Sequence, residues 1–289
     1  MAFLPTTIKE VRARGWDELD VILFTGDAYI DHPSFGAAVI GRLLESEGYR
    51  VAIVPQPNWR DDLRDFKKLG TPRLFFAITG GAMDSMVNHY TANLRLRHDD
   101  AYTAGGKAGF RPDRTVTVYS QILKRLFPHT PVVVGGIEAS LRRLTHYDYW
   151  EDKLHPSILC SSGADLLVYG MGDRTIVEVA RAMKNGYNAK LLRKIPQVAF
   201  RAERSYLEKL DPEKTVRLHS FEVCQKSKEA FAENFAIIET LSNLLHPDKT
   251  LVEATGEERV VVTPPHSILS TEELDRSFDL PYERAPHPR

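Results

Sequence analysis

The chain has 289 residues, enough to bury a full hydrophobic core and to form one or two domains. Apolar residues make up 43% and charged residues 27%, and 38 basic against 39 acidic side chains leave a formal net charge of -1. This balance is typical of a globular protein in water and gives no sign of a nucleic-acid or membrane surface. No signal-peptide core or membrane-spanning run is visible, so we expect a cytoplasmic protein.

A βαβ unit opens the fold. The apolar run Val21–Phe24 is typical of a strand buried on both faces, and the polar loop Asp27–Pro33 follows it. Apolar residues at helical spacing then lead to Gly48, a helix stop, and to a second strand over Arg50–Val54. Parallel strands of this kind are joined by a right-handed crossover, and ligands bind beyond their carboxyl ends.

The same alternation continues for three further strands. The apolar spacing predicts, in order, a helix over Ile8–Arg14 capped by Thr7 or Thr6, the βαβ unit, a helix over Trp59–Leu69, a strand over Arg73–Ile78, a helix over Thr117–Phe127, strands over Pro131–Val134 and Asp165–Tyr169, and a helix over Thr175–Lys184. Five βα units in sequence predict an α/β fold with a doubly wound, mainly parallel sheet. A flavodoxin-like strand order is favoured because no GxGxxG follows the first strand.

The chain divides into three predicted regions. Residues 1–190 form the α/β domain, interrupted by long insertions at 80–115 and 145–163 that are typical of lids or binding loops. Residues 191–262 form a helical and extended extension. It contains a strand over Pro196–Ala202, a long helix over Phe221–Leu245 with Phe235 and Leu245 among its core contacts, and a hairpin around Gly256. Residues 263–289 are rich in proline, bury little and form a linker or docking arm.

Candidate ligand-binding residues follow the strands at their carboxyl ends. They are Asp27, His32 and Ser34 after the first strand, Gly135, Gly136 and Glu138 after the fourth, and Gly170 and Gly172 after the fifth. Paired glycines allow close approach of a ligand to the backbone, and the helix starts behind them favour anions. Two such turns on neighbouring strands favour a shared pocket.

Other polar clusters leave alternatives open. Asp27, Asp31 and His32 can form a metal-binding or acid/base set, and His89, His98, Asp99 and Asp100 raise the same question without a recognised metal spacing. The run Tyr147–Trp150 can stack on a planar ligand or pack a lid onto the sheet. Cys160 and Cys224 form no CxxC pair and are expected to be reduced and buried. No nucleophile, base and orienting group assemble into a catalytic triad.

Long segments of the chain resemble the YgiQ-type radical S-adenosylmethionine (SAM) proteins, the UPF0313 family. The segments are Gly26–Glu45 (GDAYIDHPSFGAAVIGRLLE), Asp84–Gly106, Arg111–Tyr119, Gly135–Trp150, Leu166–Arg174 (LLVYGMGDR) and the tail from Thr263 to Arg289. The resemblance covers nearly the whole chain and is much more specific than a short motif. It implies an N-terminal region similar to a cobalamin-binding-like domain, placed ahead of a radical SAM barrel.

The resemblance also implies cofactors that this chain does not supply. A radical SAM barrel carries CxxxCxxC, whose thiolates hold a 4Fe-4S cluster that binds SAM, and the two cysteines here cannot provide that motif. We therefore expect a truncated or separately encoded front part whose partner is the barrel. Cobalamin remains an option without protein ligation, because Asp31 and His32 are adjacent and do not match the base-off signature DxHxxG.

Three functions are therefore compared. The first is an N-terminal accessory domain that covers the substrate at the mouth of a radical SAM barrel and is not catalytic alone. The second is a free-standing cobalamin- or nucleotide-binding module. The third is a small-molecule hydrolase or transferase that uses Asp27, Asp31 and His32. The first also predicts an exposed apolar patch where the barrel docks.

Overall fold

The computed structural model describes residues 3–186 and 192–288, and its centre is a nine-stranded sheet. The strands are β1 Val21–Thr25, β2 Ile30–Asp31, β3 Val51–Pro55, β4 Phe75–Thr79, β5 Val132–Gly135, β6 His146–Asp148, β7 Lys153–His155, β8 Leu166–Val168, β9 Val198–Glu203, β10 Thr215–Arg217, β11 Thr250–Thr255, β12 Glu258–Val262 and β13 Ala285–Pro286. The large sheet has the order β10-β11-β12-β9-β8-β5-β4-β1-β3, and β13-β2 and β6-β7 form two small pairs.

Helices cover both faces of this sheet. They are α1 Ile8–Ala13, α2 Gly36–Ser46, α3 Arg64–Lys67, α4 Ser85–His89, α5 Thr115–Leu126, α6 Gly136–Leu141, α7 Ile158–Ser162 and α8 Asp173–Lys184, followed by Phe221–Lys226, Lys228–Ser242 and Thr271–Phe278. Thr7 caps α1 in a capping box with Glu10, which confirms the prediction for this helix. Every helix in the described residues is too short or too polar to span a bilayer.

The five predicted parallel strands are confirmed. β3, β1, β4, β5 and β8 lie side by side in that order, and every neighbouring pair is parallel. Their apolar runs are buried on both faces. In β1, Val21 and Leu23 pack in the core of one face, whereas Ile22 and Phe24 pack in the core of the other. The sequence is therefore an α/β chain with a large, mostly parallel central sheet.

The C-terminal extension continues the same sheet, with antiparallel pairs followed by the edge strand β10, which pairs parallel with β11. β9 pairs antiparallel with β8, β12 pairs with β9, and β11 pairs with β12 across the hairpin at Gly256. Gly256 has a φ of +54°, a left-handed conformation that glycine adopts readily. The predicted hairpin and the strand near Pro196–Ala202 are thus confirmed, although the strand begins at Val198.

Two predicted helices are wrong in extent. Instead of a helix over Trp59–Leu69, only α3 is helical, because the side chains of Asn58, Asp61 and Asp62 accept backbone N–H groups of this segment and hold turns. The predicted helix Phe221–Leu245 breaks at Ser227, whose extended backbone ends one helix and whose hydroxyl caps the next.

Two residues of that second segment do not enter the core. Phe235 is 57% exposed and Leu245 is 72% exposed, so their predicted core contacts are wrong. The helix Lys228–Ser242 instead buries Ala230 and Asn234. The Asn234 side chain donates to the carbonyl of His219 and its Oδ1 accepts from the His219 N–H, which fixes the helix by polar contacts.

The proline-rich tail folds back onto the domain. It contains the helix Thr271–Phe278, which begins at a capping box of Ser270 and Glu273, and ends in β13, which pairs with β2. Tyr282 is 8% exposed, and its hydroxyl donates to the carbonyl of Ser277. The segment is therefore docked on the domain, and it buries few of its side chains, Ser277 and Tyr282 among the described residues.

Candidate functional site

A cavity of 320 Å³ lies at the carboxyl ends of the parallel strands. The ends of β4 and β5 form its floor, α2 contributes Ala37 and Ile40 to one wall, and α8 contributes Ile176 to the other. Its lining is mostly apolar. In sheets of this kind the carboxyl ends of the strands hold the ligand site, so this cavity is the first candidate for binding.

Four of the predicted glycines line this cavity. Gly136 has a φ of +81°, and a Cβ atom there would lie 2.4 Å from Oγ1 of Thr79. A Cβ atom at Gly172 would lie 2.8 Å from Cγ1 of Val168. Gly135 and Gly170 complete the set. The turns after β5 and β8 therefore need glycine for close packing, and they present backbone to the cavity as the sequence suggested.

The folded-back tail forms the roof of the cavity. Leu274, Ser277 and Phe278, all from the helix Thr271–Phe278, line it from above. Arg174 of α8 forms an ion pair with Glu273 and donates to the carbonyl of Ser267 at 3.1 Å. This part of the cavity lining thus comes from a segment that sequence reasoning assigned to a linker.

Asp27 has a structural role at the end of β1. Its Oδ1 lies 2.8 Å from Nη1 of Arg111, and its Oδ2 accepts from the N–H of Ala82 at 2.6 Å. Burial raises the pKa of the Asp27 carboxyl, and the charge of Arg111 opposes that rise. The carboxylate is thus held by the first insertion rather than offered to the cavity.

Arg111 is central to the contacts at the end of β1, and sequence reasoning did not identify it. Its side chain is fully buried and donates to both carboxylate oxygens of Asp100, at 3.0 and 3.1 Å, and to the carbonyl of Gly80 at 3.1 Å. A bidentate arginine–carboxylate pair with these extra partners is strongly oriented. It fastens both ends of the insertion 80–115 to the end of β1.

Glu138 has a comparable role one strand further along. It is fully buried, and its oxygens accept from the N–H of Ser85 at 3.1 Å and of Val116 at 2.8 Å. These amides belong to the first turns of α4 and α5, where backbone donors lack intrahelical partners. Burial raises the pKa of Glu138, and the nearby Asp84 raises it further. Glu138 therefore joins two helix starts and does not line the cavity.

The set Asp27, Asp31 and His32 does not converge on one point. Asp31 is fully buried, forms an ion pair with Arg42 and accepts from the N–H of Glu283 at 2.9 Å. His32 accepts the N–H of Ser34 at Nδ1, at 3.1 Å, in the loop before α2. Each member has its own partners, and neither His32 nor Ser34 is among the cavity-lining residues.

A second cluster lies in the insertion 145–163. Potential ligand atoms of Asp148, Glu151 and His155 lie within 4.8 Å of one another. However, Arg114 forms ion pairs with both acidic residues and lies 2.7 Å from Asp148. The guanidinium group of Arg114 thus already neutralises these carboxylates. The hairpin β6-β7 is thereby held against the start of α5.

The cysteines do not fit an iron–sulfur cluster. Burial raises the pKa of the Cys160 thiol to about 11, and it also raises that of Cys224, whereas a cluster needs thiolates. The Cys224 sulfur accepts from the side-chain amide of Asn234 at 3.2 Å. Both thiols are free; Cys224 is buried as expected, whereas Cys160 is only partly buried.

The structure is an α/β domain with an apolar cavity at the carboxyl ends of its parallel strands. Residues 3–289 match the model of the family described as Radical SAM N-terminal, so the chain belongs to that family. It is 58% identical over 287 residues to a UPF0313 protein of Porphyromonas gingivalis and 57% identical over 298 residues to one of Bacteroides thetaiotaomicron. The resemblance to the UPF0313 radical SAM proteins is confirmed.

These alignments cover 99% of this chain and 45% and 48% of the two relatives. The UPF0313 protein of Geobacter sulfurreducens is 47% identical over the whole of this chain and 47% of its own length. The chain therefore spans about half the length of the curated relatives it matches.

A comparison with solved structures gives a further similarity. The structure is that of the radical SAM methyltransferase TsrM from Kitasatospora setae, determined with its tryptophan substrate and a SAM analogue. The TM-score is 0.42 at 18% identity, over 64% of this chain and 29% of that chain.

Proposed function

We propose that this chain is the N-terminal accessory domain of a UPF0313 radical SAM protein, and that it covers the substrate at the mouth of the barrel. The cavity of 320 Å³ at the strand ends carries the proposal, because it offers an apolar, glycine-lined space for part of a substrate or cofactor. In this scheme the barrel holds the 4Fe-4S cluster and SAM, whose cleavage supplies the radical. The residues of this chain bind and orient the substrate, and they exclude water from it.

The proposal includes a flavodoxin-like, cobalamin-binding-like character for the parallel half of the sheet. Its support is the strand order, in which β3, β1, β4, β5 and β8 correspond to 2-1-3-4-5 along the chain. The apolar lining between α2 and α8 is chemically suited to an apolar, aromatic portion of a cobalamin. The residues do not fit a protein ligand to cobalt, because Asp31 is bound to Arg42 and His32 accepts from Ser34.

Exposed apolar side chains support the covering role. Met171 is 62% exposed in the turn after β8, and Ile137 is 44% exposed at the start of α6. Phe278, in the roof of the cavity, is 48% exposed. Large apolar side chains gathered at one edge favour contact with another surface, and here that surface is proposed to be the barrel.

Coexpression with the remaining length of the Porphyromonas gingivalis relative tests this role. The two chains should copurify, and changing Met171→Glu together with Phe278→Glu should abolish the copurification, because charge is expelled from an apolar contact. Phe235→Glu is the matched control, since Phe235 is equally exposed on the helix Lys228–Ser242. Copurification that survives the double change, or that the control also removes, would contradict the proposed covering surface.

A further inference from the structure

The helix Lys228–Ser242 has two unlike faces, and one of them packs on the domain. This inner face buries Ala230 and Asn234, and it places Ile237 and Leu241 against the core. The opposite face points away from the sheet and contributes little to that packing. It is therefore available for a contact outside the domain.

The outer face of this helix carries an aromatic ring between two opposite charges. It consists of five exposed residues, Lys228, Ala232, Phe235, Ala236 and Glu239. Residues three, four or seven positions apart lie on the same side of a helix, so these side chains form one stripe. Phe235 is 57% exposed. One exposed ring is ordinary in a monomer, so the order of residues along the stripe decides the interpretation.

The outer face is complementary to itself when it is read in the opposite direction. Two copies of a helix that meet across a two-fold axis run antiparallel, and each residue then faces one fixed position of the other copy. With the axis between residues 233 and 234, Lys228 faces Glu239 of the second copy, and Phe235 faces Ala232. A large side chain thus meets a small one and a positive charge meets a negative one, as close helix packing requires.

The residues nearest the axis are compatible with this contact. Phe231, half-buried at the border of the outer face, lies opposite Ala236 of the second copy about the same axis. The carboxylate of Glu233 is held by Nε2 of His219 at 2.7 Å, at the side of the helix. Neither Lys228 nor Glu239 forms an ion pair with another side chain in the described part of the chain. Three pairings therefore share one axis, and the two charges that they need are available.

We propose that the outer face of the helix Lys228–Ser242 is the contact between two copies of this chain, which form an antiparallel helix pair. The proposal rests on the match of charge and size along the helix, and the strand-end cavity has no part in it. The helix has 15 residues and is about 22 Å long, so the contact lies at the lower end of protein interfaces. The dimer is therefore expected to dissociate at low protein concentration.

Sedimentation velocity of the purified chain over a concentration series tests the association. The wild-type chain should shift from monomer to dimer as its concentration rises, with a dissociation constant of roughly 10 to 1,000 µM, typical of a small interface. Phe235→Glu should abolish this shift, because it places a charge where an apolar ring packs. Phe235 is exposed in the single chain, so the fold should tolerate the change.

Charge reversal tests the antiparallel register. Lys228→Glu and Glu239→Lys each place like charges opposite one another in a dimer, so each alone should weaken association by about tenfold. An equimolar mixture of the two variants should recover association, because each charge then faces its opposite across the axis. Lys9→Glu, at an exposed lysine of α1, is the matched control and should associate like the wild type.

Recovery in the mixture supports the proposal, since a second chain does not repair a defect inside a single one. A wild-type chain that stays monomeric up to about 1 mM would overturn it. So would association that survives Phe235→Glu, or a mixture that associates no better than either variant alone. If the remaining length of the Porphyromonas gingivalis relative displaces the second copy, the outer face belongs to that partner and the proposal fails. Met171 and Phe278 are unchanged in these variants, so the result is independent of the proposed accessory role.

Discussion

Burial sets the ionisation of Glu253, a side chain of β11 that is 1% exposed. Its carboxyl accepts from the N–H and the hydroxyl of Thr145, at 2.9 and 2.7 Å, which ties the second insertion to the extended sheet. Desolvation by burial nevertheless dominates and raises the pKa of Glu253 to about 7. Because the folded chain keeps this proton longer than the unfolded chain does, the stabilisation is complete below the unfolded pKa and is lost as the pH rises through about 7.

Glu253→Gln should therefore remove part of the pH dependence of stability. Between about pH 4.5 and pH 7 the wild-type free energy of unfolding should fall by up to about 3 kcal/mol on account of this group, and the variant should lack that fall. Urea unfolding at pH 5 and pH 8 measures it. Glu258→Gln, at an exposed side chain of the neighbouring strand β12, is the control. Identical pH profiles for wild type and Glu253→Gln would contradict the assignment.

At the level of single residues, the sequence predicted which glycines line the cavity. It did not predict the partners of the charged candidate residues. Gly135 and Gly136 follow a strand directly, so their place was readable from local pattern. The partner of Asp27 is Arg111, deep in an insertion, and no local period links the two. Long-range ion pairs of this kind depend on the fold and cannot be predicted from one segment.

The tail helix is the element whose position matters most for the candidate site. Arg174 contacts both Glu273 and Ser267, and Ser277 donates to Asp173 at 3.3 Å. These contacts are polar and partly exposed, so they orient the helix without contributing much to global stability. Elements held in this way open locally before the rest of the domain unfolds.

Arg174→Ala should loosen this helix without unfolding the sheet. Hydrogen exchange of the amides in residues 271–278 should accelerate several-fold, while the amides of β1 and β4 keep their protection. The capping box of Ser270 and Glu273 is left intact, so the effect reports docking rather than helix formation. Arg181→Ala, an exposed arginine of the same helix α8, should leave the tail unchanged. Unchanged hydrogen exchange of residues 271–278 in Arg174→Ala would contradict the role of Arg174 in docking this helix.

Strands were more predictable than helices for a physical reason. A strand buried on both faces is a continuous apolar run, and all five parallel strands show one. The helix boundaries depended on single capping groups, such as the Ser227 hydroxyl that divides the long segment. The tail was misjudged because its docking depends on a surface that only the folded sheet provides.

At the scale of the molecule, the described residues form cavities in separate parts of the fold. The strand-end cavity is formed by the regular βα units and the tail, whereas another cavity, at His89, is formed by the first insertion. The buried network of Arg111, Asp100 and Asp27 connects that insertion to β1. The insertions and the tail thus add surfaces around the sheet. They also contribute to its core, since Ile158 and Leu159 of the second insertion and Tyr282 of the tail are buried in it.

A larger side chain in the strand-end cavity should affect the stability of the free chain and ligand binding in opposite ways. Ala37→Phe places a ring in the apolar space beside α2, so it should stabilise the free chain by about 1–2 kcal/mol and abolish any ligand-dependent stabilisation. Thermal unfolding with hydroxocobalamin or SAM in excess measures both effects. Ala232→Phe, on the exposed face of the helix Lys228–Ser242, controls for the added ring.

The two probes distinguish the occupants of this cavity. A rise in melting temperature with hydroxocobalamin that Ala37→Phe removes would favour a cobalamin-holding role, because only a ligand bound to the folded state stabilises it. A rise with SAM alone would favour a nucleotide in the cavity. A rise that persists in Ala37→Phe would place the ligand elsewhere and contradict the strand-end site. The absence of any shift, with Ala37→Phe still stabilising, would leave the cavity as space for a substrate brought by the barrel.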